Sequence, residues 1–163
     1  MELCPRNKST PATRLHDRIQ HLLNMPELNI VMFAFLLNFV WEFLQVPFFE
    51  NMKDAPHWQA VKHCTVATIG DAAIMLIAYW CVAAFDRTRS WVLKPQPRQI
   101  AGIAVVGVVI SILLEILNTK FWDRWEYSSA MPVIPLLEIG AVPLLQWIVL
   151  PPLTVWFVHR QLT

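Results

Sequence analysis

Glycine is almost missing from this chain of 163 residues, at only four positions, and with it goes the usual means of cradling a phosphate. There is no GxGxxG fingerprint, no P-loop and no CxxCH haem attachment, so no cofactor is expected. Cysteine is as scarce. Cys4, Cys64 and Cys81 lie far apart and form no CxxC, which argues against a disulfide framework and against a zinc site. His57 and His63 stand in no recognised ligand spacing, and no metal is expected. Charge is short as well: Asp, Glu, Lys and Arg make up 15% of the chain, against about 25% in soluble proteins. The net charge of +1 excludes an electrostatic nucleic-acid binder.

What is abundant is apolar. Hydrophobic residues reach 56% and the mean hydropathy is +0.44. The charges crowd into the N-terminal segment and the connections, leaving four long runs nearly free of Lys and Arg. A charge at bilayer depth costs roughly 2.5–3.5 kcal/mol, so lipid selects for this distribution. A soluble bundle would instead show charged faces at helical period. The pattern predicts an all-α membrane protein, a bundle of four transmembrane helices over residues 28–49, 65–85, 100–118 and 133–158, after a polar tail over residues 1–26 with one amphipathic turn near Leu15–Leu23. Each run reaches the roughly 17–25 residues that span a hydrocarbon core. The tail has no apolar core of a cleavable signal, so the first span is expected to direct its own insertion. Nine of the basic residues fall on the side of the two termini and four on the other. By the positive-inside bias both termini are expected in the cytoplasm and the chain in the plasma (inner) membrane.

Four acidic residues interrupt the apolar runs: Glu42, Asp71, Glu115 and Glu138. Counting rises of about 1.5 Å per residue puts all four in the outer third of the bilayer. On the first span Asn38, Glu42 and Gln45 fall on one helical face, and on the third Ser111, Glu115 and Asn118 repeat the spacing. Such stripes cannot face lipid and are expected to point into the bundle, where Asn38, Gln45, Asn118 and Gln146 can hydrogen-bond the carboxyl groups. No Lys or Arg is expected at that depth, and burial without a cation favours the protonated acid, the state of a proton donor at neutral pH. The bland alternative is that these polar groups are interhelical glue, at roughly 0.6 kcal/mol per hydrogen bond.

The aromatic residues near the same end, Trp58, Trp122, Trp125 and Tyr127, read either as an interfacial belt or as a lid over a site between helices. Pro135, Pro143, Pro151 and Pro152 predict a kinked fourth helix. The two halves also resemble each other as a tandem hairpin repeat: residues 38–49 align with 111–122, matching Glu42 to Glu115, and residues 68–72 with 138–142, matching Gly70 to Gly140.

The stretch NFVWEF (Asn38–Phe43) resembles the Asn-x-x-Trp-Glu motif of small membrane-bound terpene cyclases. Glu115 together with WEYSSAMPVIPLLEIGAVPLLQW (Trp125–Trp147) resembles the membrane lycopene cyclase and carotenoid hydratase group, which departs from this chain in carrying Pro-x-Glu-Glu where Pro143-Leu-Leu-Gln146 stands here. The resemblance covers about half of the chain. It implies that Glu42 protonates an isoprenoid alkene and that aromatic faces, here Trp41, Trp125, Tyr127 and Trp147, stabilise the carbocation. On this reading Glu42 and Glu115 are acid and base, Asp71 and Glu138 tune them, and the partners are the bilayer and a lipophilic small molecule. The alternatives are a proton- or cation-handling transporter, and a non-catalytic membrane subunit of a complex.

Overall fold

The computed structural model describes residues 11–163 apart from Asp123. Helix α1 (Pro11–Leu23) is a full helix where the sequence predicts a single amphipathic turn. After it come α2 (Pro26–Gln45), a short 3-10 turn, α3 (Glu50–Lys53), α4 (His57–Asp86), a 3-10 segment (Arg89–Leu93), α5 (Pro97–Ile116), a π-helical turn (Leu117–Phe121), a hairpin of β1 (Val133–Ile134) and β2 (Ile139–Gly140), and α6 (Ala141–Leu162). Four helical stretches are long and apolar enough to cross a membrane: Pro26–Phe48, His57–Asp86, Pro97–Phe121 and Ala141–Leu162.

Local chemistry sets the helix starts and stops. Proline opens α2 and α5 at a position where its missing N–H costs nothing. At the start of α5 Gln96 and Gln99 form a reciprocal capping box. Helix α4 ends at Arg87, whose left-handed backbone (φ 54°) closes the last turn. Along α2, Leu28, Met32, Leu36, Val40 and Leu44 recur every four residues and are all exposed, which makes the lipid-facing stripe. The opposite stripe, Ala34, Asn38, Glu42 and Gln45, is buried.

Helices α2 and α5 each pack on α4 and α6, so they stand diagonally across a four-helix ring. Phe33 of α2 stacks on Phe157 of α6 at 5.4 Å, and Asp86 at the end of α4 bonds Gln99 at the start of α5, so neighbours run antiparallel. The end that holds the start of α2 and the finish of α6 is closed by the segment after α4. Its Trp91 and Val92 insert into the bundle, and Tyr79 donates from its hydroxyl to the Arg89 carbonyl at 2.5 Å. Between this end and the bundle middle lies a dry belt of Ile30, Ala34, Met75, Ala78, Ile103 and Val155. At mid-height the Trp147 indole presses on the backbone of α5 at Gly107, where a Cβ would stand 2.0 Å from the ring.

Four expectations differ from the fold. The second span starts at His57, because helical hydrogen bonding continues through the polar turn that hydropathy assigns to a loop. The fourth starts at Ala141. Pro132 and Pro135 bar a helix over the apolar run before it, and the chain folds back with Val133 opposite Gly140 and Ile134 opposite Ile139. Pro135 therefore contributes no kink, while Pro151 and Pro152 do lie inside α6. The second match of the tandem repeat also fails, since Gly70 is mid-helix and Gly140 is in a strand.

Candidate functional site

The polar stripes of α2 and α5 both point inward, as their spacing predicts. Asn38, Glu42 and Gln45 are buried on α2, Ser111 and Glu115 on α5, and Asn118 in the π-helical turn that continues α5. From α6, the buried Gln146 reaches into the same layer. Its amide nitrogen donates to Asn38 Oδ1 at 2.6 Å and to Asp71 Oδ2 of α4 at 2.8 Å. The Glu42 carboxyl accepts from Gln45 Nε2 at 2.7 Å and lies within hydrogen-bonding reach of Asp71 and of Gln146. A hydrogen bond between two carboxyl groups requires one of them to carry a proton. Glu115 is near enough to interact electrostatically with Asp71, and it accepts from the Tyr127 hydroxyl. Three carboxyl groups from three helices thus gather in one layer, with the fourth helix supplying the amide that ties Asp71 to Asn38.

Glu138 does not join them. It occupies the turn of the β1–β2 hairpin in a left-handed backbone (φ 54°), its side chain is 72% exposed, and it pairs with Lys120 Nζ at 2.8 Å. The Lys120 ammonium holds its carboxyl below the ordinary carboxylate range. Both the expected depth and the expected absence of a cation fail for this residue, because the hairpin replaces the helix that would have buried it.

A lid crosses the bundle end next to the acids. Residues 47–50 pair with 126–128: Glu50 N–H donates to the Glu126 carbonyl at 2.9 Å, Ser128 N–H to the Phe48 carbonyl at 2.9 Å, and Ser128 Oγ to the Pro47 carbonyl at 2.9 Å. This pairing turns Tyr127 toward Glu115 and sets Trp125 edge-on to Phe49 at 6.2 Å. Burial, and after it the Glu115 carboxyl, raises the Tyr127 phenol above its ordinary value and keeps it a neutral donor. The aromatic residues therefore divide. Trp58 and Trp122 are exposed, as belt residues are, while Trp125 and Tyr127 are partly covered and lie at the site. Trp147 is a packed core residue. Trp41 flanks the α2 stripe, its buried N–H without a protein partner.

Sequence spacing did not single out Cys64 and Thr68. Both are buried on the face of α4 toward α2, with Cys64 Sγ 3.8 Å from the Glu42 carbonyl oxygen and Thr68 Oγ1 bonded to the Cys64 carbonyl at 2.7 Å. Their spacing of four residues was the available signal. Cys64 and Cys81 are free thiols, and among the described residues no three metal-ligating side chains cluster. His57 and His63 are exposed.

No family model, no curated protein and no solved structure matches this chain.

Proposed function

We propose that this protein is an integral membrane enzyme that moves protons on a lipid-soluble isoprenoid, in a reaction of the cyclase, isomerase or hydratase type. The observation that carries the reading is the pairing of Glu42 with Asp71 within hydrogen-bonding reach, with Gln45 donating to Glu42 and Gln146 to Asp71. Such a pair holds a transferable proton among apolar helices, where an alkene can meet it without bulk water. The Glu42 O–H bond breaks as a C–H bond forms, leaving a carbocation. A second carboxylate, assigned here to Glu115, then takes a proton from an adjacent carbon and restores a double bond. Trp125 and Tyr127 offer π faces to the cation. Repeat symmetry supports pairing Glu42 with Glu115, since each lies six residues before the end of its apolar helical stretch, at Phe48 and Phe121.

The distribution of Lys and Arg supports placing both termini in the cytoplasm and the acids near the outer face of the plasma membrane. The rival reading as a proton or ion conduit lacks a path, because Ile30, Ala34, Met75, Ala78, Ile103 and Val155 pack the bundle between the acids and the other end.

The test is deuterium transfer. Purified protein in lipid nanodiscs in D2O is given geranylgeraniol, a prenylated quinone or lycopene, and the products are weighed by mass spectrometry. Incorporation of deuterium at carbon is expected, and Glu42→Gln should reduce it by about 100-fold or more. Unlabelled, unchanged lipids throughout would end the proposal.

A further inference from the structure

Several polar atoms of the acid layer are buried and left without any partner. Asn118 Nδ2 is committed to the Leu114 carbonyl at 2.7 Å, which leaves its buried oxygen without a partner. Gln45 spends its nitrogen on Glu42, and its oxygen is likewise buried and unbonded. The Trp125 N–H lies close to Glu115 but outside hydrogen-bond geometry, and it too is buried and unpaired. Asn118 and Gln45 are 5% and 7% exposed, so lipid headgroups do not satisfy them. Each unmet group costs about 1–3 kcal/mol when nothing binds it.

All three groups lie on the lid side of the acids. Asn118 stands three residues beyond Glu115, in the π-helical turn after α5, and Gln45 three residues beyond Glu42 on α2. The pairing of residues 47–50 with 126–128 ties the ends of these two diagonal helices together, and Trp125 sits in that tie beside Phe49. The unmet set therefore forms a ceiling over the carboxyl groups: two acceptors on opposite helices and one donor in the lid.

We infer that this ceiling binds the hydroxyl group of the substrate, so that the enzyme takes a prenyl alcohol rather than an isoprenoid hydrocarbon. A hydroxyl is the smallest group that donates one hydrogen bond and accepts another. Its O–H is shared between the Asn118 and Gln45 oxygens, and its oxygen accepts from Trp125. A hydrocarbon leaves all three unpaired, and a site built for a hydroxyl discriminates strongly against the analogue that lacks one. The hydroxyl end anchored at the ceiling sets the prenyl chain beside Glu42 and Asp71. The inference rests on the isoprenoid reading of the site.

Binding tests it separately from turnover. Full-length protein in nanodiscs is titrated with geranylgeraniol and with the same chain bearing hydrogen in place of the hydroxyl, followed by tryptophan fluorescence. The alcohol is expected to bind at least about tenfold more tightly. Asn118→Leu and Gln45→Met should each shrink that preference by about tenfold while leaving hydrocarbon binding unchanged. Gln45→Met, nearly the same shape, serves if the leucine variant fails to fold. Equal binding of the two ligands, no binding of the alcohol, or a preference untouched by Gln45→Met overturns the inference. Retained alcohol preference without deuterium transfer would overturn the chemistry alone.

Discussion

The indole of Trp147 lies against the bare backbone of Gly107, with Cε3 only 2.0 Å from where a Cβ would stand. Helix α6 approaches α5 this closely because residue 107 has no side chain, and Gln146 beside Trp147 is thereby fixed in height. Gly107→Ala is expected to destabilise the bundle by about 3 kcal/mol, the upper end for overpacking, because a rigid ring cannot give way. A thermal melt in detergent reads it. Trp147→Leu combined with Gly107→Ala should recover part of the loss, and strict additivity would show that the two residues do not touch.

Gln146 holds two helices at once, through Asn38 at 2.6 Å and Asp71 at 2.8 Å. Gln146→Leu removes the bridge and strands both partners, at a cost of about 1–3 kcal/mol. Deuterium transfer should fall more steeply than stability does, because the Glu42–Asp71 pair loses the amide that aligns it. A variant that melts early but turns over normally would make Gln146 structural only.

Tyr127 gives a prediction in pH. The unfolded chain loses a phenol proton near about 10, whereas burial and Glu115 keep the folded phenol protonated above that point. The folded state then binds more protons, so this contribution is complete below pH about 10 and is lost as the pH rises further. Melts between neutral and strongly alkaline pH should show a decline that is shallower in Tyr127→Phe. The same variant should lower deuterium transfer by about tenfold at neutral pH, since Glu115 loses its donor.

Glu138 carries a left-handed backbone and an exposed pair with Lys120. Glu138→Ala keeps the unfavourable backbone and loses the pair, while Glu138→Gly loses the pair but relieves the backbone. The glycine variant should be the more stable of the two by about 1 kcal/mol, the reverse of their order in a helix. Neither should alter deuterium transfer. If transfer collapses in both, the hairpin turn belongs to the site after all.

The membrane-spanning runs were legible because exclusion of charge is a one-dimensional signal. The inward faces of α2 and α5 were legible because Asn38–Glu42–Gln45 and Ser111–Glu115–Asn118 share helical spacing. The helix start at Ala141 was not legible from hydropathy, since Val133–Gly140 is as apolar as a span; Pro132 and Pro135 were the signal that mattered. That one boundary moved Glu138 from the acid layer to solvent. The lid was beyond sequence reading, because the Phe49–Tyr127 pairing joins distant segments with no local signature. The same is true of the lock between Tyr79 and the Arg89 carbonyl. The capping of α5 by Gln96 and Gln99 was there to be read in their three-residue spacing.

The dry belt below the acids has a consequence for how the protein senses its surroundings. In the reading proposed above, protons exchange with Glu42 and Asp71 through the lid side, so a pH jump on that face of a sealed vesicle should register before the same jump on the other. In the proposed reaction, substrate and product come and go sideways between helices, which makes the surrounding bilayer both reservoir and solvent.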